Sequence, residues 1–432
     1  MSSELARAVA MSVSRTLQTF FSAVRTGATT FLSETSNPVP RDWRHVTKID
    51  PEAEKRLPVC FPFYLQHTDA IAVGGSSDVT ARNTEETFSL LAVAETPAFH
   101  EPSETRHVTE RTRELATFLA IPEVLNGEPS ALVGTLGEGI EYLNDELLPE
   151  LLESKLPSPV YSVLGDSLVD FATSWLLDRA VFEAYIVQNP ESAAARRSGV
   201  TEDDVLSPAV ARQRAMVADR HLKSELVYIE YSGTYGGEEA VRVLQSVSES
   251  LTRARLWYGG GIDGREKSSE ILAAGADTVV VGDVFHDIAD EEVRILEQAS
   301  TDLDRGASPS EIRRWIRSEI DIPSTVAFRY LRTIPGVRSP ESTTERYLSL
   351  TVGLLFAARA SESGPRRDSV GRSAELLEAL FPDGNRQIEN AFADHESVWR
   401  RYVAEFVVPA ATPADTEAPV HHLSVAELSP DR

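Results

Sequence analysis

Apolar runs with short-period alternation and apolar residues at helical spacing take turns along most of this chain. The pattern is clearest between residues 226 and 285. The run LVYIEYS (226–232) precedes EEAVRVLQSVSESL, RLWYGGG (255–261) precedes REKSSEILAAG, and ADTVVVG (276–282) closes the stretch. Each run ends in glycine or a small polar residue. Such alternation predicts strand–loop–helix units, and therefore a parallel sheet with helices outside. Five earlier runs extend the series: WRHVTKIDP (43–51), TDAIAVGGSSDVT (68–80), TPAFHEPS (96–103), LATFLAIPEVLN (115–126) and AYIVQNPES (184–192). Eight strands over residues 42–300 predict a TIM-type (β/α)8 barrel. It is a modified one, because 141–180 reads as a helical excursion too long for a simple crossover.

Strand signals stop near residue 301. Helical patterns follow at 308–320, 324–333, 341–360, 371–381 and 386–406, so an all-α domain is expected over 301–408, with no role legible in its sequence. Residues 409–432 are proline-rich and polar and read as a disordered tail. At the other end, Leu5, Val9, Val13, Leu17, Phe20 and Val24 fall on one helical stripe, followed by a linker, so residues 1–41 form an N-terminal amphipathic helix and linker. That helix reads either as a peripheral anchor on the inner membrane face or as a helix docked on a neighbouring domain or subunit.

Charge narrows the function classes. The 432 residues carry a formal charge of −25 and a pI near 4.8, which argues against nucleic acid as a partner. Five of the 42 basic residues are lysines. An acidic, lysine-poor chain suits a high-salt cytoplasm. Residues 308–372 run against the trend, with eleven arginines and seven acids. This basic segment would meet anionic lipid, a phosphorylated ligand or the acidic barrel. Cys60 is the single cysteine, so no intrachain disulfide or cysteine-rich metal site forms. There is no apolar run of transmembrane length and no signal-peptide cleavage pattern, and a cytoplasmic location is expected.

The marked polar residues cluster at the carboxyl ends of the predicted strands, where barrel enzymes place their chemistry. Lys48 and Asp50 share one side of the first strand. Lys48 suits a phosphate, and Asp50 with Ser76 offers oxygen ligands for Mg2+, although an Asp in IDP also fits a turn or helix cap. Tyr228, Glu230 and Ser232 share one face of the sixth strand. Glu230 is either a general base oriented by Tyr228 or a buried acid satisfied by a core partner. The glycines at 259–261 and Gly282 fall on the seventh and eighth loops, the usual place of a barrel's phosphate site.

Taken in order, WRHVTKIDP, TDAIAVGGSSDVT, HEPS, PEVLN, AYIVQNPES, VYIEYSGTYG, LWYGGGID and ADTVVVGDV resemble geranylgeranylglyceryl phosphate synthases and their bacterial heptaprenylglyceryl phosphate synthase relatives. The resemblance covers about residues 42–290. It implies transfer of a prenyl group from a prenyl diphosphate, with geranylgeranyl as the expected donor, to the 3-hydroxyl of sn-glycerol 1-phosphate, with Mg2+ as cofactor. A diverged paralogue, with another phosphorylated acceptor or a binding role alone, is the alternative. The resemblance further implies that Lys48 binds the glycerol phosphate and that Asp50 and Ser76 ligate the metal. Tyr228, Ile229, Glu230, Tyr231, Ser232 and Gly233 would hold the glycerol and its phosphate, with Glu230 near the attacking hydroxyl. Gly261, Gly282 and Asp283 would complete the phosphate cradle. A homodimer is a further implication. This sequence departs from the family at Asp283, where most members have Asn, in the excursion 141–180, which replaces a shorter crossover, and in the two terminal regions.

Overall fold

The computed structural model describes residues 37–428 apart from 76–77, 132–134, 156–157, 360–365, 382–385, 387–389, 393–394 and 412–422. The expected N-terminal helix and Ser76 fall outside the described residues.

Eight parallel strands form one sheet: β1 His45–Ile49, β2 Ala70–Val73, β3 Ala98–His100, β4 Ala120–Val124, β5 Val181–Val187, β6 Leu226–Glu230, β7 Arg255–Gly259 and β8 Thr278–Val281. Their spatial order is β3-β2-β1-β8-β7-β6-β5-β4. The two ends meet through a parallel bridge between His100 and Leu119, with Thr117 donating to the Ala98 carbonyl at 2.7 Å and His100 to that of Phe118 at 3.1 Å. The sheet is thus closed into a barrel. β5 begins at Val181, three residues earlier than expected, because Glu183 interrupts an otherwise apolar run and hides it from a reading by hydrophobicity.

Period-two alternation sorts the strand residues. Val46, Ala72, Phe99, Val181, Tyr185, Tyr228, Trp257 and Val280 pack together inside the barrel. Their neighbours Ile49, Ile71, Ile186, Ile229, Tyr258 and Val279 face the helices. The barrel helices with their bounds are α1 Phe61–Leu65, α2 Ala81–Leu91 and α3 Glu110–Leu115. The excursion then folds as α4 Thr135–Tyr142, a π-turn, α5 Leu148–Lys155 and α6 Ser158–Leu177. Next come α7 Ala193–Ser198, α8 Pro208–Val217, α9 Gly237–Ser248, α10 Arg265–Ala273 and α11 Val284–Asp302.

Beyond the barrel lie α12 Pro309–Glu319, α13 Val326–Thr333, α14 Pro340–Arg359, α15 Arg366–Leu380, α16 His395–Tyr402 and, after a π-turn, α17 Val408–Ala411. Ser308 starts α12 with a reciprocal capping box to Glu311 and a proline in the first turn. The helical region shares one hydrophobic core with the outer face of the barrel. The reason lies in α1, which is only five residues long and buried throughout. Its Phe63 ring stacks on Phe381 at 5.7 Å and meets Phe392 and Trp399 edge-on at 5.7 and 5.8 Å. Tyr64 meets Tyr347 at 4.9 Å, and Phe61 meets Tyr402 at 5.7 Å. Each such ring contributes about 1.5–3 kcal/mol by burial. The outward polar side chains of β1 are satisfied by α13: His45 Nε2 bonds Thr333 Oγ1 at 2.9 Å, and Thr47 Oγ1 bonds the Tyr330 hydroxyl at 2.9 Å. From the basic segment, Arg332 reaches both carboxylate oxygens of Glu266 on α10 at 2.7 Å.

Glu292 on α11 ties three segments together. Its Oε2 accepts from Val59 N at 2.8 Å and Ser424 Oγ at 2.8 Å, and its Oε1 accepts from Thr351 Oγ1 at 3.0 Å. Residues 423–428 therefore depart from the expected disordered tail. Leu423 and Val425 are buried in the shared core, and Ser424 N donates to the Leu57 carbonyl at 3.0 Å. The short apolar run LSVAEL is enough to dock once Leu57 and Glu292 offer partners.

Two tests follow from this packing. Phe63→Ala should lower stability by roughly 3–5 kcal/mol, read as a drop in urea midpoint. Burial pushes the Glu292 carboxyl up to about 7 from an ordinary 4.5. A raised acid stabilises fully below its unfolded value and loses that contribution as pH climbs through the folded one. Glu292→Gln keeps acceptors for Val59 and Ser424 and offers its amide to Thr351. Its thermal midpoint should draw ahead of wild type between pH 4.5 and 7, by up to roughly 3 kcal/mol in stability at the upper end.

Candidate active site

Four strands aim ionisable side chains at the carboxyl-end mouth of the barrel. β1 supplies Lys48, the end of β3 Glu101, β5 Glu183 and Tyr185, and β6 Tyr228 and Glu230. Lys48 Nζ lies 2.8 Å from Glu101 Oε2. Burial alone would lower the lysine's pKa. The carboxylates of Glu101, Asp50 and Glu230 outweigh it and hold the ammonium above the usual lysine range. The other Glu101 oxygen accepts from the Tyr185 hydroxyl. The Tyr185 ring stacks on that of Tyr228, centroids 4.5 Å apart and planes 7° from parallel. Deeper in, Glu183 is 1 % exposed, and its Oε2 makes no hydrogen bond among the described residues. Burial, reinforced by Glu101, raises its pKa well above the ordinary range, which favours the protonated form.

Glu230 is buried at the last position of β6, paired in register with Gly259 of β7. Burial raises its pKa, and the Ser232 amide, donating to Oε1 at 3.1 Å, partly offsets that. Tyr228 lies within hydrogen-bonding reach of it. A Cβ on Gly259 would fall 1.9 Å from the Tyr228 hydroxyl, so only glycine fits between that ring and β7. Gly261 has φ of +50°, and a Cβ there would strike the Thr234–Tyr235 peptide at 2.7 Å. The glycine loop is thereby held against 231–235, with its backbone open to an anion.

Asp50 follows β1, its N–H meeting His286 Nε2 at 3.4 Å while Nδ1 bonds the Arg56 carbonyl at 3.0 Å. Its carboxyl is pushed up to about 7, by burial first, against the pull of Lys48 and with the push of Asp283. Asp283 caps α11 in the left-handed region, φ +59°, which Asp tolerates better than most residues. Its side chain lies within bonding reach of Asp50 and 3.6 Å from Lys55 Nζ. Two facing carboxylates hold either a proton or a cation between them, and their hard oxygens fit Mg2+.

The sequence-derived residues therefore separate into groups. Lys48, Tyr228 and Glu230 meet inside the mouth. Gly261, Gly282, Ser232 and Gly233 surround it through backbone and loop. Ile229 and Tyr231 point the other way, into the helix layer, where Tyr231 stacks on Tyr258 at 5.8 Å. They can serve a ligand in the mouth only through backbone. Glu101, Glu183 and Tyr185 were missed as site residues. Glu101 lay within the matched HEPS segment, and Tyr185 shares its strand face with Glu183, so period two from Tyr185 points back to the acid.

Beside the mouth, the excursion helps to line a partly open, mainly apolar pocket. Pro102, directly after Glu101, lines one end, Leu119 and Ile121 of the β4 segment form one wall, and Ile140, Leu147 and Leu176 line it from the excursion.

Comparison with known proteins shows the family. The geranylgeranylglyceryl phosphate synthase of Methanocella arvoryzae is 34 % identical over 248 residues, covering 57 % of this chain and 91 % of that protein. The same-named protein of Halobacterium salinarum is 32 % identical over 255 residues, covering 59 % and 92 %. The heptaprenylglyceryl phosphate synthase of Bacillus cereus is 33 % identical over 249 residues, covering 57 % and 91 %. A model of the PcrB family matches residues 40–300, which span every strand of the barrel and the whole mouth, and the chain belongs to that family.

Proposed function

We propose that this protein transfers the prenyl group of a prenyl diphosphate to the 3-hydroxyl of sn-glycerol 1-phosphate, making the first ether bond of archaeal membrane lipids. The carrying observation is that Glu230, a buried carboxylate of raised pKa, sits in register with the glycine loop of β7 and across the mouth from Lys48. A phosphate seated on the backbone of 259–261 and 282–283 puts a glycerol hydroxyl within reach of Glu230. The relatives named above are synthases of prenylglyceryl phosphates, which supports the same acceptor and donor classes here.

The reaction balances as follows. A lone pair on the glycerol oxygen forms the new C–O bond at the allylic carbon, the bond from that carbon to diphosphate breaks, and the hydroxyl proton passes to Glu230. Tyr228 orients the carboxylate. Lys48 stands as a fixed cation for the glycerol phosphate, its own charge held by Glu101. Asp50 would hold Mg2+, with Asp283 at its side. The metal would supply the positive charge that offsets the departing diphosphate. The cavity under α4–α6 would take the prenyl tail out of water, with geranylgeranyl as the first donor to assay.

Purified protein with Mg2+ in molar KCl should convert both substrates to the ether. Glu230→Ala should cut turnover by about 10²–10⁴-fold, while calorimetry still shows glycerol phosphate binding. Binding without turnover in the wild type would favour a phosphate-ligand binding module instead. The base must be ionised to act, so kcat/KM should rise with pH through a limb above the ordinary carboxylate value. That limb should disappear in the residual activity of Glu230→Gln. Lys48→Met should raise KM for glycerol phosphate at least tenfold, with a smaller effect on KM for the prenyl donor.

A further inference from the structure

Helix α6 carries two apolar faces, of which the cavity and core use one. Val169 and Thr173 are buried, and Leu176 and Leu177 line the cavity. On the far side Leu164, Leu168, Phe171 and Trp175 recur at helical spacing in one stripe. Leu164, Phe171 and Trp175 are 38 %, 50 % and 45 % exposed, among the few large apolar side chains left in water within the described residues. The Arg179 guanidinium lies 4.1 Å over the Trp175 ring.

We propose that this stripe seats the protein on a lipid surface, beside the α4–α6 pocket. Four observations select the occupant. The first is residue type. Leucine, phenylalanine and a tryptophan stacked under an arginine match the water–lipid boundary, where an apolar ring inserts and a cation stays wet. The second is area. Half-exposed rings of this size present on the order of 300 Å² in all, well short of the roughly 800 Å² per partner of a stable chain–chain interface. The third is continuity: Leu176 and Leu177, which line the cavity, follow Trp175 directly in the chain. The fourth is charge. The exposed Asp166 and Asp170 project off the stripe, and the helix itself contains no lysine or arginine, so attachment is by apolar insertion and not by attraction to anionic headgroups. The identity of the lipid that enters rests on the prenyl-transfer reading. The docking does not, and it is measured without turnover, so either can fail alone.

Trp175 makes the test specific. The other tryptophans, Trp43, Trp257, Trp315 and Trp399, are 8 %, 1 %, 7 % and 1 % exposed, so a change in emission on docking reports this helix. The full chain is mixed with phosphatidylcholine vesicles in molar KCl. Protein should pellet with the vesicles and its emission should move to the blue. Phe171→Asp with Trp175→Asp should weaken pelleting at least tenfold, with the far-ultraviolet circular dichroism unchanged. Trp175→Phe should pellet like wild type with no blue shift. The proposal is overturned if wild-type protein stays in solution, if it pellets with no change in emission, or if the double variant pellets undiminished. A blue shift that grows with protein concentration in the absence of vesicles also overturns it, because a second copy would then cover the stripe.

Discussion

Covering the first crossover is the constraint on which the rest of the molecule depends. A parallel barrel needs helices over the outer faces of its strands. After β1 the chain supplies only FPFYL, five residues with three aromatic rings, all buried. A helix that short leaves its rings and the outward polar groups of β1 without cover. The helices beyond residue 301 provide it. Tyr347, Phe381, Phe392, Trp399 and Tyr402 surround the rings, Tyr330 and Thr333 satisfy Thr47 and His45, and Glu292 draws Val59, Thr351 and Ser424 to one point. The C-terminal region is thus part of what holds β1 in place, and β1 carries Lys48 and leads into Asp50.

Inside the barrel the governing quantity is charge balance. Three glutamates and one lysine share a space from which water is largely removed. The single ammonium is bonded to Glu101 and lies in the field of Glu230, while burial raises the pKa of Glu183. Only Glu230 combines raised basicity with a position beside the glycine loop. Asp50 and Asp283 form a separate acidic pair, with Lys55 near Asp283. The mouth thus separates Lys48 and Glu230, beside the glycine loop, from the Asp50–Asp283 pair.

The excursion between β4 and β5 serves two neighbouring purposes with one helix. The inner face of α6 lines a mainly apolar pocket and its outer face presents leucine and aromatic side chains to solvent. Both faces are apolar, so the helix shows little amphipathic contrast, and neither use is visible in its periodicity.

By itself the sequence determined the barrel, since eight runs of period two, interleaved with period 3.6, leave few other ways to bury both faces of a parallel sheet. It also marked Lys48, Asp50, Tyr228, Glu230 and the glycine loops, because polar residues at strand ends and glycines at fixed places are local signals. Tertiary structure alone decided what depends on partners distant in the chain. Glu101 became a site residue only when closure of the barrel brought it to Lys48 and Tyr185. The side chains of Ile229 and Tyr231 were turned out of the mouth by the strand's alternation. Asp283 was turned toward Asp50 by a left-handed cap. The run 423–428 was ordered by Leu57 and Glu292, more than a hundred positions away. In each case the deciding energy is burial or pairing between segments remote in sequence, to which a local pattern is blind.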